Sequence, residues 1–409
     1  MTADALTAAA ARAADPQDPW SLVPASGRAR YLRRMAMAVL DEVEDLASML
    51  ARETGLPRTD ALLAELLPSV GGLHGLADDG PKALREQRLG RIPALRAGRR
   101  SVLVHAPLGI VGIRGSASSP WGEPALEVAA SVLAGNGVLL APAIPEVAVR
   151  LVSAFERAGI PEGLIGVVDR DADLESVCAT VVSGASVSGE GTMLVLDGAP
   201  IDRTVSGALW AAFAAGGRGP FAVNRAIVVP SMHAEFLTRI QSAATALRVG
   251  DPSDPETEVA VGPVIRRGGG PAGEEGAVLH VVEARSEEHA IRLARGRGTV
   301  SVWAGDRAHG ERVARSLGVE LAWVNDHGYT SPAAPVRLAR HVAAHQIASQ
   351  PTRLRSARWL PYDPALVRAS TATARLMYGR ESERFETLRA DAVPLVRTGV
   401  RLLREALGR

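Results

Sequence analysis

The segment that determines the fold class runs from residue 110 to residue 141, IVGIRGSASSPWGEPALEVAASVLAGNGVLLA. It begins with an apolar run at 110–113 that is typical of a buried strand, and it ends with a second such run at 138–141. Residues 127–133, between them, have the composition of a buried helix. Because parallel strands need a long crossover connection, this order of strand, helix and strand predicts a parallel sheet with right-handed crossovers.

The same alternation continues through most of the chain. Further strands are predicted at 102–105, 164–168, 180–183, 194–196, 226–230, 278–282, 299–303 and 321–324. Helices are predicted at 27–54, 59–67, 81–88, 147–158, 200–213, 234–247, 287–294, 310–317, 337–345, 365–376 and 395–407, whereas residues 1–25 are expected to be loosely ordered. We therefore expect an α/β protein with a Rossmann-like parallel-sheet domain of residues 1–196, completed by residues 330–409, and a second α/β domain of residues 197–329.

The composition excludes several functional classes. The net charge of +1 over 409 residues gives no electrostatic basis for binding nucleic acid. Lys82 is expected to be a solvated side chain, and the single cysteine, Cys178, cannot form an intrachain disulfide. No apolar run reaches the roughly 20 residues that a membrane-spanning helix needs. The N-terminus lacks the charge pattern of a signal peptide, so the predicted location is the cytoplasm.

Several motifs occur in an order typical of one enzyme family. They are Glu53-Thr54-Gly55-Leu56-Pro57, Pro107 to Ile113, Ser119-Pro120-Trp121-Gly122-Glu123-Pro124, Ala134 to Val138, Phe213 to Arg225, Val249-Gly250-Asp251-Pro252 and Trp323 to Gly328. In these segments and in their order the chain resembles the NAD(P)-dependent aldehyde dehydrogenase superfamily. The resemblance implies the α/β fold of that family, a bound NAD or NADP, and oxidation of an aldehyde through a cysteine thiolate.

The positions that carry the family's chemistry hold other residues in this chain. Pro220 stands at the position of the nucleophilic cysteine, Gly122 at the position of the oxyanion-binding asparagine, and Val195 at that of the general-base glutamate. Arg218 and Ala215 replace the conserved polar neighbours of the cysteine. Proline has neither a nucleophile nor an N–H group, and residues 213–225 contain no Cys, Ser, Thr or Lys.

The predicted cofactor turn keeps the family's glycine spacing. Gly184 and Gly189, with Ser186 between them, follow a predicted strand and match the pyrophosphate turn, and Trp121 matches a residue near the cofactor. Phosphate binding of this kind uses the N–H groups of a following helix, but only residues 190–193 separate Gly189 from the next strand. Ala141 and Ile144 replace the ribose-binding lysine and its acidic neighbour. The sequence therefore argues against the usual mode of NAD(P) binding.

A few other polar residues and the single cysteine are alternative candidates for a site. Asn325, Asp326 and His327 form a polar group at the end of a strand, for which we expect turn hydrogen bonds more than acid–base chemistry. His341 and His345, one helical turn apart, could share a metal, although an exposed helix face is the simpler interpretation. Cys178 is expected to be a small buried apolar residue. For the remaining candidates, packing is the favoured role of Arg225, and Arg218 could contact an anion.

The hypothesis is a degenerate aldehyde dehydrogenase homologue that acts as a subunit or regulatory partner. Its partner would be a second copy of the chain or an active aldehyde dehydrogenase paralogue, with no nucleic acid and no membrane involved. Two alternatives remain open. One is an NAD(P)-dependent aldehyde dehydrogenase of an unusual subtype, and the other is an old cleft that performs non-redox chemistry on a carbonyl or acyl compound.

Overall fold

The computed structural model describes residues 1–89, 100–183, 191–219, 221–254, 256–269, 276–296, 298–319, 321–328, 334–349 and 363–407. The strands, in chain order, are β1 (Gln87–Arg88), β2 (Arg100–Pro107), β3 (Ile110–Arg114), β4 (Gly137–Ala141), β5 (Ile165–Val167), β6 (Thr180–Ser183), β7 (Gly191–Val195), β8 (Val223–Val228), β9 (Val264–Arg267), β10 (Val278–Glu283), β11 (Thr299–Trp303), β12 (Leu321–Val324) and β13 (Val342–Ser349).

Helices account for most of the remaining described residues. They are α1 (Ala3–Ser21), α2 (Ala25–Asp41), α3 (Val43–Thr54), α4 (Arg58–Asp60), α5 (Leu67–Ala83), α6 (Gly122–Ala134), α7 (Pro145–Arg157), α8 (Ile201–Phe213), α9 (Pro230–Thr245), α10 (Glu287–Ala294), α11 (Arg307–Ser316), α12 (Ala334–Leu338), α13 (Pro364–Tyr378) and α14 (Glu381–Leu407). A π-helical turn, Ala61–Leu66, joins α4 to α5, and short 3₁₀ turns lie at Leu174–Ser176 and Ala214–Gly217.

The chain forms two compact units. The first comprises Met1–Leu84 and Pro107–Val342, and the second comprises Arg85–Ala106 and Ala343–Arg409. Residues 343–409 are therefore grouped with residues 85–106, whereas the sequence predicted that they complete the domain of residues 1–196.

A four-stranded parallel sheet organises the first part of the first unit. Its strand order is β5-β4-β3-β6, so the chain starts at β3, moves outward through β4 and β5, and returns to β6 on the other side. Both faces of this sheet are covered by helices. Val138 and Leu140 pack in a core with residues of α2, α5, α6 and α7, and Leu139 packs on the opposite face with residues of α1. Burial of both faces explains why these strands are continuous apolar runs in the sequence.

The N-terminal helices differ from the prediction. Residues 3–21 form α1 instead of a loose segment, with Leu6, Ala13 and Trp20 buried on one side and the Trp20 indole donating to the Val132 carbonyl at 2.8 Å. The predicted long helix over 27–54 is divided at Glu42, where α2 ends and α3 begins. The buried residues of α1 are spaced by three and four positions, which is typical of a helix. The prediction of a loose segment followed instead from the proline and aspartate content of these residues.

A six-stranded parallel sheet forms the second part of the first unit. Its order is β12-β11-β7-β8-β10-β9, with β7 paired to β8 on one side and to β11 on the other. Helices α8 and α9 cover one face and α10 and α11 cover the opposite face. The predicted domain boundary after residue 196 therefore separates β7 from the sheet in which it pairs.

The second unit contains the three-stranded sheet β1-β2-β13 and the helix pair α13 and α14. The predicted helix over 337–345 is wrong, because α12 ends at Leu338 and the chain enters β13 at Val342. His345 thus lies on a strand, not one helical turn from His341. Among the residues that the structure describes, no helix has the length and apolar content that crossing a bilayer requires.

Candidate functional site

The connection between α8 and β8 is a tight left-handed turn. Ala215, Gly216 and Gly217 all have positive φ angles, of 52°, 63° and 72°. A Cβ atom at Gly217 would lie 2.3 Å from the Gly276 carbonyl oxygen, so only glycine fits there. The Ala215 N–H donates to Asp60 Oδ2 at 2.7 Å, which holds the turn against the helical layer. Arg218 is exposed, and Pro220 lies outside the described residues.

His327 is placed directly against this turn. Its Nε2 lies 3.0 Å from the carbonyl oxygen of Phe221, the residue that follows Pro220 in the sequence. Since a carbonyl can only accept, Nε2 carries the hydrogen and donates it. The ring packs 4.7 Å from Trp323 and 5.9 Å from Trp210 between centroids. Sequence reasoning identified His327 as a candidate, but it gave no sign of the contact with the turn.

The electrostatics of His327 favour a neutral ring. Burial lowers its pKa from 6.5 to about 4, against the opposing effects of the Phe221 carbonyl and Asp326. Nδ1 is buried and has no hydrogen-bond partner among the described residues. A neutral imidazole with Nε2–H leaves Nδ1 as an acceptor, so this ring can accept one hydrogen bond but is a weak base.

Asn325 and Asp326 do not join His327 in an acid–base group. The Asn325 amide bridges the backbone of Ala304, accepting from its N–H at 2.8 Å and donating to its carbonyl at 2.9 Å. Asp326 Oδ1 accepts from the backbone N–H of His327 at 2.9 Å. These two side chains therefore have the structural role at the strand end that the sequence favoured.

The N-terminus of α6 holds a buried carboxylate that the sequence analysis missed. Glu65 Oε2 accepts from the N–H groups of Trp121 at 3.0 Å and Gly122 at 2.6 Å, and from the Ser119 hydroxyl at 3.1 Å. Burial raises the pKa of Glu65 to about 7, although these hydrogen bonds oppose the shift. The available signal was a lone acidic residue inside the apolar run 61–67. The π-helical turn places this residue on the buried side.

Gly122, at the position that the resemblance assigns to an oxyanion-binding asparagine, donates its own N–H to Glu65. Glycine has no side-chain amide, and a Cβ there would lie 3.3 Å from Glu65 Oε2. The backbone N–H groups that could replace an amide are already donated to Glu65. Trp121 is fully buried with its indole donating to Ser69 Oγ at 3.2 Å, so its side chain has no surface for a cofactor.

The general-base position is apolar in three dimensions as well. Val195 is fully buried in β7, paired with Val228 of β8 on one side and with Trp303 of β11 on the other. Trp303 packs over α8 at Gly207, where a Cβ atom would come within 2.4 Å of the indole. Among the described residues around Val195, aromatic and aliphatic packing fills the space in which the resemblance places a carboxylate.

Gly184, Ser186 and Gly189 of the predicted cofactor turn lie outside the described residues. In open parallel sheets, dinucleotides bind where the strand order reverses, which here is between the carboxyl ends of β3 and β6. Beside this point, β4 ends at the buried Ala141, and Ile144 follows three residues later; neither side chain has a polar group that could bond a ribose hydroxyl. At these two positions the chain lacks the polar side chains that the resemblance implies for a bound NAD(P).

Cys178 lies just before β6 of the four-stranded sheet, whereas the turn precedes β8 of the six-stranded sheet. It follows the 3₁₀ turn at Leu174–Ser176, its N–H donates to the Leu174 carbonyl at 2.9 Å, and its side chain packs against the cluster under α1. Burial and the nearby Glu175 carboxylate raise the pKa of the Cys178 thiol to about 11. The thiol is therefore protonated at neutral pH and is only weakly nucleophilic.

The proposed histidine pair is separated, and one member has a different partner. His341 is fully buried, with Nε2 2.8 Å from Glu127 Oε2, whereas His345 is exposed on β13. Glu127 also binds Arg337 and Arg340, and these cations together with the His341 hydrogen bond outweigh burial and lower its pKa. Within the described ranges, no group of His, Cys, Asp and Glu could hold a metal ion. Lys82 is an exposed residue paired with Asp79.

The comparisons with known proteins agree with the fold. The model of the aldehyde dehydrogenase family matches residues 1–182 and 182–269. Similar proteins include a probable succinate-semialdehyde dehydrogenase [NADP(+)] of Sinorhizobium fredii, 29% identical over 295 residues that cover 64% of this chain and 58% of the relative. A 3-sulfolactaldehyde dehydrogenase of Pseudomonas putida is 29% identical over 314 residues, which cover 68% of this chain and 61% of that protein.

Solved structures show the same architecture. PnpE from Pseudomonas sp. WBC-3 superimposes with a TM-score of 0.76 at 19% identity, covering 84% of this chain and 89% of PnpE. A benzaldehyde dehydrogenase from Corynebacterium glutamicum gives a TM-score of 0.73 at 20% identity, covering 87% of this chain and 90% of the other. The matched region spans about three fifths of the two curated relatives described above. The predicted α/β fold class is thereby confirmed, and the chain belongs to the aldehyde dehydrogenase family.

Proposed function

We propose that this chain is a family member that does not oxidise aldehydes through a thiolate and that acts as a subunit or regulatory partner. The observation that carries the proposal is the position of Cys178. Cys178 is the chain's only thiol, and it packs beside the four-stranded sheet with a raised pKa. Residues 213–225, where the family's cysteine would lie, lead into β8 of the six-stranded sheet. Its partner would be a second copy or an aldehyde dehydrogenase paralogue.

Each requirement of the family reaction lacks its residue. Hemithioacetal formation needs a thiolate at the turn, and residues 213–225 contain no nucleophilic side chain. Stabilisation of the oxyanion needs free donors, but the N–H groups of Trp121 and Gly122 are donated to Glu65. A proton acceptor is also absent at Val195, which is an apolar residue in the core.

Cofactor binding in the family manner is not supported either. A nicotinamide cofactor, when bound, would supply a hydride acceptor. The relatives named above include an NADP(+)-dependent enzyme. In this chain, however, the side chains of Ala141 and Ile144 offer no group that could bond a ribose hydroxyl. We expect NAD and NADP to bind, if at all, no more tightly than a dissociation constant of about 1 mM, equivalent to about 4 kcal/mol.

The decisive assay follows reduced nicotinamide by absorbance, with purified protein, NAD or NADP, and aldehydes of several classes. Succinate semialdehyde and benzaldehyde are chosen because similar proteins are named for them. An active relative serves as the positive control. The proposal predicts no turnover above the rate without protein. Turnover that is abolished by Cys178→Ala would overturn it and would favour an unusual functioning aldehyde dehydrogenase.

A second candidate function rests on His327. Its unpartnered Nδ1, set among aromatic rings beside the turn, could accept a hydrogen bond from a small carbonyl or acyl compound that also carries a donor. A thermal-shift screen of such compounds tests this candidate. Stabilisation of the wild type that is lost in His327→Phe would support it, and an equal shift in both proteins would reject His327 as the binding group.

A further inference from the structure

The last helix, α14, has its apolar side turned away from the helix that it packs against. Phe385, Leu388, Val393, Val396 and Val400 are all exposed, with Phe385 72% and Val396 66% accessible. We call these five residues the α14 stripe. At 100° per residue they fall within one side of the helix, since they are spaced by steps of three or four residues apart from the five-residue step between Leu388 and Val393.

The opposite side of α14 is polar and buried. Thr387 and Thr398 are buried, and Asp391 forms an ion pair of 2.8 Å with Arg368 of α13. An amphipathic helix normally turns its apolar side to its packing partner. Here that order is reversed, which leaves the stripe without a partner among the residues that the structure describes.

The charges along α14 indicate what covers the stripe. Residues 381–391 carry four acidic and two basic side chains, whereas residues 392–407 carry three arginines and one glutamate. Two copies of α14 in an antiparallel arrangement would bring the acidic half of each helix against the basic half of the other. A twofold axis produces this arrangement automatically, because the same surface then contacts itself.

One register satisfies both the apolar and the charged residues. When Phe385 of one helix lies level with Val400 of the other, the axis passes between residues 392 and 393, near the middle of the stripe. In this register Glu386 of one helix lies level with residue 399 of the other, two residues from Arg397. Glu386 and Arg397 of the second copy are therefore less than one helical turn apart, and they lie on the same side of the contact. Glu386 and Arg397 are both exposed, and neither forms an ion pair with another described residue.

We propose that the α14 stripe is a self-association surface, covered by the α14 helix of a second copy in antiparallel orientation. Helix α14 has 27 residues, so it extends for about 40 Å and offers a long contact for such a pair. The inference extends the proposed subunit role by naming the partner and the surface. Its test is separate, since turnover of an aldehyde would reject the proposed function and leave this surface unaffected.

The experiment measures the mass of the full chain by size-exclusion chromatography with light scattering. We expect the wild type to have at least twice the mass of one chain, and Val396→Glu to halve that mass. Val149→Glu, at an exposed valine of α7 outside the stripe, is the matched control and should leave the mass unchanged. Circular dichroism establishes that each variant keeps its helical content.

Charge reversal distinguishes self-association from binding of a different protein. Glu386→Arg and Arg397→Glu each place like charges together, and each should weaken the dissociation constant by about tenfold or more at low salt. The double variant E386R/R397E restores opposite charges in the antiparallel pair and should recover association. A monomeric wild type, a mass unaffected by Val396→Glu, or a double variant no tighter than the single variants would overturn the proposal.

Discussion

The carboxylate of Asp60 accepts a 2.7 Å hydrogen bond from the backbone N–H of Ala215, which has a left-handed φ of 52°. Both residues are buried, although they are 155 positions apart in the chain. Left-handed backbone is unfavourable for alanine by about 1–2 kcal/mol, so this conformation needs support from its surroundings. Asp60 provides that support from the helical layer, at the place where the family's catalytic loop would lie.

Removal of this acceptor should destabilise the protein. Asp60→Ala leaves the buried Ala215 N–H unpaired, and we expect a loss of about 1–3 kcal/mol in the free energy of unfolding. Asp60→Asn keeps an acceptor oxygen and should lose less. Asp78→Ala, which removes an exposed ion pair with Arg33, is the control and should lose much less stability, because an ion pair between exposed side chains contributes little. Urea unfolding measures all three, and equal losses for Asp60→Ala and Asp78→Ala would contradict the assigned role.

The sheets were predictable because their strands are buried on both faces. Short runs such as 138–141 and 299–303, rich in branched apolar residues, favour a central parallel strand, and both are strands as predicted. The family motif from Ala134 to Val138 leads into the first of these strands. The chain's membership of the family and its fold class could therefore be predicted from local sequence.

The polar contacts were not predictable, since they join residues that are distant in sequence. His341 was expected on an exposed helix face, yet it is buried against Glu127, which is 214 positions away. Glu65 was not singled out at all, because only the fold shows that its carboxylate reaches the N-terminus of α6. Pairings of this kind depend on how elements pack, and a single sequence carries no record of them.

Cys178 should react slowly with thiol reagents in the folded protein. A pKa of about 11 instead of 9.0 means about 100-fold less thiolate at neutral pH, and partial burial limits access further. Alkylation by iodoacetamide at pH 7, followed by mass spectrometry, measures the rate in folded protein and in urea. We expect at least about a 100-fold increase on unfolding. Equal rates in the two conditions would show a reactive thiol and would weaken the proposed lack of thiolate chemistry.

Glu65 should make stability fall as the pH rises. Its pKa is raised from 4.5 to about 7 in the folded protein, so above pH 4.5 the unfolded chain loses the proton first. Between pH 4.5 and pH 7 this group removes about 3 kcal/mol of stability, at about 1.4 kcal/mol per unit. Glu65→Gln keeps an acceptor oxygen and removes the titration. The difference in free energy of unfolding between Glu65→Gln and the wild type should therefore shift by about 3 kcal/mol in favour of the variant as the pH rises from 4.5 to 7. A difference that does not change with pH would contradict the shifted pKa.

His327 should have the opposite dependence. Its pKa is lowered from 6.5 to about 4, so stability is complete above pH 6.5 and falls as the pH decreases towards 4, because only the unfolded chain gains the proton. The loss amounts to about 3 kcal/mol at pH 4. His327→Phe keeps the aromatic contacts and removes the titration, so its stability relative to the wild type should rise by that amount between pH 6.5 and pH 4.

The effects of Glu65 and His327 nearly cancel in the wild type, because one adds stability on acidification while the other removes it over almost the same interval. Urea unfolding of the wild type and the two single variants at several pH values separates them. Glu65→Gln should become less stable on acidification from pH 7 to pH 4.5, and His327→Phe more stable. In the double variant, the free energy of unfolding should change with pH about as it does in the wild type. Identical slopes in all four proteins would show that neither residue titrates as its burial requires.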